Sequence, residues 1–251
     1  MRRLIVAELR KLVTTRTARA LVVAALGLAA VLAAATVSNG ARETGAHTLA
    51  STAGVRAVLN AATPAELVAL ILGILSVAGE RRWGTEVSTF LITPRRERVI
   101  VAKLVVAVAF GVLLGAACDV VTVAVAKPLL AGHGVSLAPL SPTALGVFGG
   151  VLLVSAIYGA VGVGVGALIP NQPLALGVAL FWSLLVENAI LGLWGAGGRW
   201  LPGGAAASLT RATLPYGDHL LAPGLALVVL AVYAAAFAVA GALRTNRRAV
   251  A

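Results

Sequence analysis

Two carboxylates, Asp119 and Glu187, lie inside long apolar segments of this 251-residue chain, where ionisable side chains are rare. A charge at the centre of a bilayer costs roughly 2.5–3.5 kcal/mol on insertion scales, so acids in such places face protein or water. They typically bind cations, relay protons or line the path of a substrate. The alternative is that each acid hydrogen-bonds a neighbouring helix or backbone group, and the sequence leaves both interpretations open.

The chain carries none of the common motifs of an enzyme active site. It has no G-x-x-x-x-G-K-[ST] loop for ATP, no G-x-S-x-G elbow and no H-E-x-x-H helix. Its one cysteine, Cys118, excludes an intramolecular disulfide and C-x-x-C chemistry. The three histidines, His47, His133 and His219, lack ligand spacing. We therefore predict no catalytic residue, no metal site and no cofactor bound by this chain.

The densest polar stretch is residues 79–103, GERRWGTEVSTFLITPRRERVIVAK, which separates two long apolar runs and contains six Lys or Arg residues. This basic content predicts that the stretch faces the cytoplasm. Within it, Val87, Phe90 and Leu91 have the i, i+3, i+4 spacing of a short amphipathic helix, which would offer its apolar face to a partner protein. An ordinary solvated basic loop is the alternative.

The composition indicates an integral membrane protein, because 60% of the residues are hydrophobic and only 12% are charged. Fifteen of the twenty Lys and Arg residues fall in residues 1–19, 80–103 and 244–248. These three segments are therefore predicted to lie inside the cell, with both termini at the cytoplasmic face of the cytoplasmic membrane. No basic groove remains for a nucleic acid, which excludes that class of partner.

The elements that must position these residues are apolar helices. A run of twenty residues spans about 30 Å at 1.5 Å per residue, which matches the hydrocarbon thickness of a bilayer. We predict an all-α membrane protein with one domain, residues 1–251, in which residues 1–17 form an interfacial amphipathic helix. Six transmembrane spans are predicted at about 18–37, 64–79, 99–126, 145–169, 174–193 and 223–243.

Two of the three predicted outer connections between these spans have a distinctive sequence. Residues 38–62 are predicted to be a polar loop, after which Thr63, Pro64 and Glu66 have the pattern of a helix start. The region between spans five and six is rich in glycine and proline but still apolar. It is therefore predicted to be re-entrant or to lie on the membrane surface.

The fourth span carries small residues on one face. Ser155, Gly159, Gly162 and Gly166 recur at i, i+4, i+7 and i+11, which lets a neighbouring helix approach closely. The neighbour can be a helix of the same subunit or of a second copy, and both alternatives stay open.

The two buried acids are predicted to lie at similar depths. Asp119 is sixteen residues beyond Lys103, about 24 Å along a helix, which places it in the outer half of the membrane. Glu187 is thirteen residues beyond Leu174, about 20 Å by the same rise. They could therefore line one cavity as candidate pathway residues.

Taken together, the opening AELRKL helix, the six spans, the basic stretch after span two and the apolar LPGGAAASL segment resemble a permease subunit of the ABC type-2 exporter family. In that family the loop between spans two and three forms a coupling helix that docks in a groove of a separate ATPase subunit. The resemblance implies this role for Glu80, Arg82, Gly84, Thr85, Glu86, Val87, Phe90, Leu91 and Pro94.

The resemblance also implies the partners. ATP and Mg²⁺ would bind the partner ATPase, and a second permease copy or a sister permease would complete an export pathway for a drug, a lipid or a peptide. Two functions from other classes stay open. The chain could be a membrane scaffold that recruits a cytoplasmic protein without transport, or an ion-coupled secondary transporter that uses Asp119 or Glu187 as its cation or proton site.

Overall fold

The computed structural model describes residues 1–43, 45–82, 96–212 and 220–247. Every regular element in these ranges is a helix, and no strand occurs among them. The helices are α1 (Arg2–Thr14), α2 (Arg16–Glu43), α3 (Gly45–Ala50), α4 (Thr52–Leu59), α5 (Pro64–Arg82), α6 (Arg96–Gly132), α7 (Pro142–Leu168), α8 (Gln172–Phe181), α9 (Glu187–Leu193), α10 (Gly195–Gly198), α11 (Pro202–Leu209) and α12 (Pro223–Arg247). A 3-10 turn, Asn60–Ala62, precedes α5, and a π-helical turn, Trp182–Val186, joins α8 to α9.

Six helical stretches are long and apolar enough to cross a membrane, which indicates a multi-pass membrane protein. The prediction of an all-helical chain with six such helices is confirmed for the residues that the structure describes. The six stretches are Arg16–Arg42, Thr52–Arg82, Arg98–Gly132, Pro142–Leu168, Gln172–Leu193 and Pro223–Thr245.

The helices are longer than the predicted spans. The first long helix continues to Glu43 rather than ending near Val37, and α6 runs from Arg96 to Gly132. Most of residues 38–62 are helical instead of forming a polar loop. Hydropathy marks the apolar centre of a helix, and its hydrogen-bonded ends can continue into water, which explains the difference.

Helix α7 forms the centre of the bundle. It packs against α5, α6 and α12, and 72% of its most apolar window is buried, compared with 17% for α12. The outer helices present apolar side chains such as Val31, Val120 and Val232, each more than 60% exposed. Such outward-facing aliphatic surface suits a lipid environment.

The close contacts fix the directions of the central helices. Leu70 and Ile74 of α5 lie against Gly162 and Gly166 of α7, so these two helices run parallel. Helix α6 runs antiparallel to α7, because Ala107 lies against Gly159 while Gly115 further along α6 lies against the earlier α7 residues 151 and 152. We call the end of the bundle at the C-termini of α5 and α7 the near end, and the opposite end the far end.

Candidate functional site

Four charged side chains from three helices meet at the near end. Lys103 of α6 is 4% exposed, and its Nζ lies 2.7 Å from Glu8 Oε2 and 2.9 Å from Glu80 Oε1. The Nζ of Lys11 lies 2.8 Å from Glu8 Oε1 and 2.6 Å from Glu80 Oε1. Lys103 also donates a hydrogen bond of 2.8 Å to the carbonyl oxygen of Ser76. We call Glu8, Lys11, Glu80 and Lys103 the charge network.

The positions of these residues in their helices explain the network. Glu8 and Lys11 are three residues apart on α1, so they share one face of that helix. Glu80 lies in the last turn of α5, and Lys103 lies about two turns into α6. The two ammonium groups balance the two carboxylates, which allows charges to be buried because each is paired and hydrogen-bonded.

The network shifts the titration of its members on α1. Burial by itself raises the pKa of the Glu8 carboxyl, but the nearby Lys103 and Lys11 outweigh burial and hold that pKa below its ordinary value of 4.5. Burial lowers the pKa of the Lys11 ammonium, whereas hydrogen bonds to Glu8 and Glu80 raise it, and the net result lies above 10.5.

These pKa shifts predict that the contribution of Glu8 and Lys11 to folding stability is constant at intermediate pH and falls at low and at high pH. Glu8 contributes stability that is present above its unfolded pKa and is lost as the pH falls through the lowered folded pKa. Lys11 contributes stability that is present below 10.5 and is lost as the pH rises through its raised folded pKa. We expect the melting temperature in detergent to fall below about pH 4.5 and above about pH 10.5.

A control variant tests whether Glu8 causes the predicted loss of stability at low pH. Glu8→Gln removes the titrating carboxyl, so the variant should lose less stability than the wild type between pH 5 and pH 3. Differential scanning fluorimetry across this range measures both proteins under the same conditions. If both proteins lose the same stability between pH 5 and pH 3, Glu8 does not contribute through its charge.

Arg81 connects the end of α5 to α7 next to the network. Its Nη1 donates hydrogen bonds of 3.3 Å to the carbonyl oxygen of Gly166 and 3.1 Å to that of Ala167. These carbonyls lie in the last turn of α7, where the helix offers no internal donors, so a cationic side chain is favourable there. Residues 80 and 81, near the start of the basic stretch, are therefore held by α1, α6 and α7.

The structure describes two of the predicted coupling residues. Glu80 belongs to the charge network, and Arg82 is the exposed last residue of α5. The predicted amphipathic helix stays a prediction, because its other residues lie outside the described ranges. These are Gly84, Thr85, Glu86, Val87, Phe90, Leu91 and Pro94.

A cavity of about 320 Å³ lies between α8 and α12, with α7 at its floor. Aliphatic and aromatic side chains make up most of its wall, among them Leu70, Tyr158, Leu230 and Phe237. Glu187 is the one carboxylate among the described residues that line it. The cavity therefore combines a largely apolar wall with a single acidic group.

Glu187 is held by two N–H donors and is 2% exposed. Its Oε1 accepts a hydrogen bond of 2.7 Å from Trp182 Nε1, and its Oε2 accepts one of 2.8 Å from the backbone N–H of Gly203. Gly203 lies in the first turn of α11, so the carboxylate also faces the positive end of that helix. A Cβ at Gly203 would lie 2.2 Å from Glu187 Oε2, which explains the glycine at this close approach.

The π-helical turn makes the contact between Trp182 and Glu187 feasible. Residues five apart in an α-helix lie about 140° apart around the axis, given 3.6 residues per turn. A π turn, with its i→i+5 bonding, is wider and brings positions five apart onto one face. The turn at Trp182–Val186 therefore places the indole N–H against the carboxylate.

Asp119 does not line this cavity. It is 6% exposed and lies close enough to Glu66 for electrostatic interaction. Neither of its carboxylate oxygens has a hydrogen-bond partner among the described residues, and the same is true of the hydroxyls of Thr122 and Ser155. Asp119 lies on α6, which packs mainly on α7, α2 and α5, whereas Glu187 begins α9, which packs on α10 and α11. The two predicted pathway acids therefore do not share the cavity.

The small-residue face of α7 makes close contacts within the chain. Ser155 and Gly159 approach α6, and a Cβ at Gly159 would lie 2.7 Å from a backbone carbonyl oxygen of that helix. Gly162 and Gly166 approach α5, and a Cβ at Gly162 would lie 2.2 Å from the carbonyl oxygen of Leu70. The face is thus divided between two neighbouring helices, and the approaches at Gly159, Gly162 and Gly166 depend on the absence of a side chain.

Several residues of these sites were not predicted from the sequence. Lys103 was counted among the charges of the basic stretch, although it is buried in the network. The sequence did contain a sign that α1 takes part in an ion-pair network. Glu8 and Lys11 form an i, i+3 pair on a helix whose other charges are basic. The contacts of Trp182 and Gly203 with Glu187 had no such signal, because they depend on a π turn and on a separate helix.

No protein-family model matches this chain, and no curated protein matches it. Among the described residues, no group of three or more His, Cys, Asp or Glu side chains is arranged to hold a metal ion. The functional assignment therefore depends on the charge network, on the cavity and on the residues that form them.

Proposed function

We propose that this chain is the membrane-spanning subunit of an ATP-driven exporter of the ABC type-2 kind. The observation that carries the proposal is the charge network, which joins helices on both sides of residues 83–95. A segment that receives force from a partner needs a rigid attachment to the helices that it moves. The ion pair between Glu80 and Lys103 supplies that attachment across the base of the segment.

The network also offers a route from residues 83–95 to the cavity. Glu80 lies ten residues from the cavity-lining Leu70 on α5, about 15 Å along the helix. Arg81 holds the last turn of α7, and Tyr158 of α7 also lines the cavity. A displacement at the near end would thus reach the cavity wall through two packed helices, in the manner of coupling between distant sites.

In this proposal the near end faces the cytoplasm, and α1 lies at the membrane surface there. The predicted amphipathic helix with Val87, Phe90 and Leu91 serves as the coupling helix, and α10 and α11 belong to a re-entrant segment on the outer side. ATP and Mg²⁺ bind the separate ATPase, so this chain has no catalytic residue of its own. A second copy or a sister permease completes the pathway, and lipid surrounds the apolar outer helices.

The predicted coupling segment can be tested through its partner. We expect Phe90→Asp to reduce recovery of a P-loop ATPase with the tagged, purified chain at least tenfold, because a charge would replace the docked aromatic side chain. Gly84→Pro should also lower ATP hydrolysis by the reconstituted complex. Quantitative mass spectrometry of the purified complex and an ATPase assay in proteoliposomes measure the two effects.

Leu140→Asp is the matched control, because Leu140 is 83% exposed and lies at the far end of the bundle. Recovery of the ATPase should stay at the wild-type level in this variant.

The orientation is tested separately with a cysteine at position 88 in a Cys118→Ser background. If an impermeant thiol reagent labels that cysteine from outside intact cells, residues 83–95 do not face the cytoplasm and the proposal fails.

One observation favours a second candidate function, an ion-coupled secondary transporter. The carboxylate of Asp119 is buried and has no hydrogen-bond partner in the part of the chain that the structure describes, as expected of a site that takes up a proton or a cation during transport. Transport that persists in ATP-depleted vesicles and is abolished by Asp119→Asn would favour this function. Transport that requires ATP and survives the substitution would favour the exporter.

A further inference from the structure

The walls of the cavity beside Glu187 select for an apolar ligand. Its volume of about 320 Å³ lies at the lower end of the range for small-molecule sites. Most of the wall is aliphatic or aromatic, so a ligand with a large hydrocarbon surface would be favoured by burial. The walls alone do not distinguish such a ligand from a lipid chain.

The carboxylate of Glu187 distinguishes a positively charged apolar ligand from an uncharged lipid chain. The carboxylate is 2% exposed, and no Lys or Arg among the described residues forms an ion pair with it. Its two hydrogen-bond donors are the neutral indole of Trp182 and the backbone of Gly203. A buried charge without a counter-ion is costly, so a ligand that brings a positive charge gains from the pairing.

Aromatic side chains reinforce this preference. Tyr158, Trp182, Tyr233 and Phe237 all line the cavity, and the faces of aromatic rings attract cations. The π turn provides a further indication, because such turns inside helices are frequent at functional sites. It brings one of these rings and the carboxylate onto the same face of the helix.

The cavity opens sideways between α8 and α12. Val178 and Trp182 line it, and they are 49% and 43% exposed, respectively, on the outward side of the bundle. Helices α8 and α12 flank α7 without packing appreciably on each other, which leaves the opening between them. A ligand dissolved in the bilayer could therefore enter without crossing an aqueous phase.

We propose that this cavity binds lipophilic organic monocations through Glu187, and that compounds of this chemical class are the substrate of the proposed exporter. The substrate role rests on the proposed function, whereas binding does not require it. The apolar body of the ligand would lie against the aliphatic wall, with its cationic centre beside the carboxylate. A lipophilic anion of the same shape would be rejected, because its charge would face Glu187.

A pair of ions with the same shape and opposite charge tests the proposal. Equilibrium dialysis of the purified chain in neutral detergent, corrected with empty micelles, gives the affinities for tetraphenylphosphonium and tetraphenylborate. We expect the cation to bind at least tenfold more tightly than the anion. Glu187→Gln should weaken binding of the cation at least tenfold and leave binding of the anion unchanged or stronger.

Two further variants keep the test decisive if Glu187→Gln folds poorly. Val178→Trp places a large ring at the exposed rim of the cavity and should lower the affinity for the cation at least tenfold. Glu66→Gln removes a partly buried carboxylate that is not among the residues lining the cavity, and it should change the affinity by less than twofold. Circular dichroism verifies the helical content of each variant.

Equal affinities for the two ions, or the same loss in Glu66→Gln as in Glu187→Gln, would overturn the proposal. The binding assay contains no ATPase and no ATP, so its failure removes the ligand class and leaves the exporter proposal standing. Conversely, if the chain binds the cation but recovers no ATPase, the cation-binding proposal stands and the exporter proposal fails.

Discussion

Lys103→Met is expected to lower the free energy of unfolding by about 3–5 kcal/mol, the range for removing one partner of a buried ion pair. Lys103 is 4% exposed and contacts two carboxylates and one backbone carbonyl. Without it, the carboxylate of Glu8 keeps the ammonium of Lys11, whose side chain is 47% exposed. Because Lys11 is largely solvated, it compensates only weakly for the loss of the buried ammonium of Lys103.

The measurement is thermal or denaturant unfolding of the purified chain in detergent, followed by circular dichroism. Lys127→Met is the matched control, because Lys127 is an exposed lysine near the far end of the same helix, α6. Its effect should stay within about 0.5 kcal/mol. Equal stability of the two variants would mean that Lys103 is not buried in an ion-paired network.

A double-mutant cycle separates the ion pair from other effects of Lys103. If the two side chains interact directly, Glu8→Gln should cost much less stability in the Lys103→Met background than in the wild type. Part of the lost stability can even return, because the second substitution removes a buried carboxylate that lacks its partner. Additive losses would show that the two residues are not energetically coupled.

Gly162→Ala is expected to lower the free energy of unfolding by about 2–3 kcal/mol, the upper part of the range for overpacking a close helix contact. The added Cβ would lie 2.2 Å from the carbonyl oxygen of Leu70, and backbone cannot move aside as a flexible side chain can. Helices α5 and α7 must separate, which weakens the packing of the central helix against its neighbour.

Gly149→Ala on the same helix should not destabilise the protein. Gly149 is exposed, and a Cβ there would meet no atom within 4 Å. Alanine is favoured over glycine in a helix by about 0.8–1 kcal/mol, so this variant should be neutral or more stable than the wild type. Unfolding curves of the two variants under identical conditions provide the comparison. Similar losses in both would contradict the close packing at Gly162.

The sequence predicted the helical architecture because that property depends on local composition. Six apolar runs, each bordered by charged or turn-forming residues, are sufficient to place six long helices. Their ends were less well predicted, as with α2, which continues six residues beyond Val37 to Glu43. A helix can extend past its apolar centre wherever its backbone stays hydrogen-bonded, and hydropathy does not register that extension.

The candidate sites were predicted only in part. Glu187 was singled out because a carboxylate in an apolar run is costly, and that cost is a property of the sequence. Its depth was estimated from helix rise alone, which also led to the expectation that Asp119 would share its cavity. The rise gives the height of a residue but not the direction in which it faces, and Asp119 lies beside Glu66 instead.

By itself, then, the amino-acid order determined that the chain is helical and apolar enough for a membrane, because these properties depend on neighbouring residues. Only the tertiary structure decided that Lys103 is buried between Glu8 and Glu80, residues 95 and 23 positions away, and that a π turn places Trp182 against Glu187. Such contacts depend on how distant helices pack and rotate against each other, and that geometry follows from the interactions of the whole bundle rather than from any local pattern.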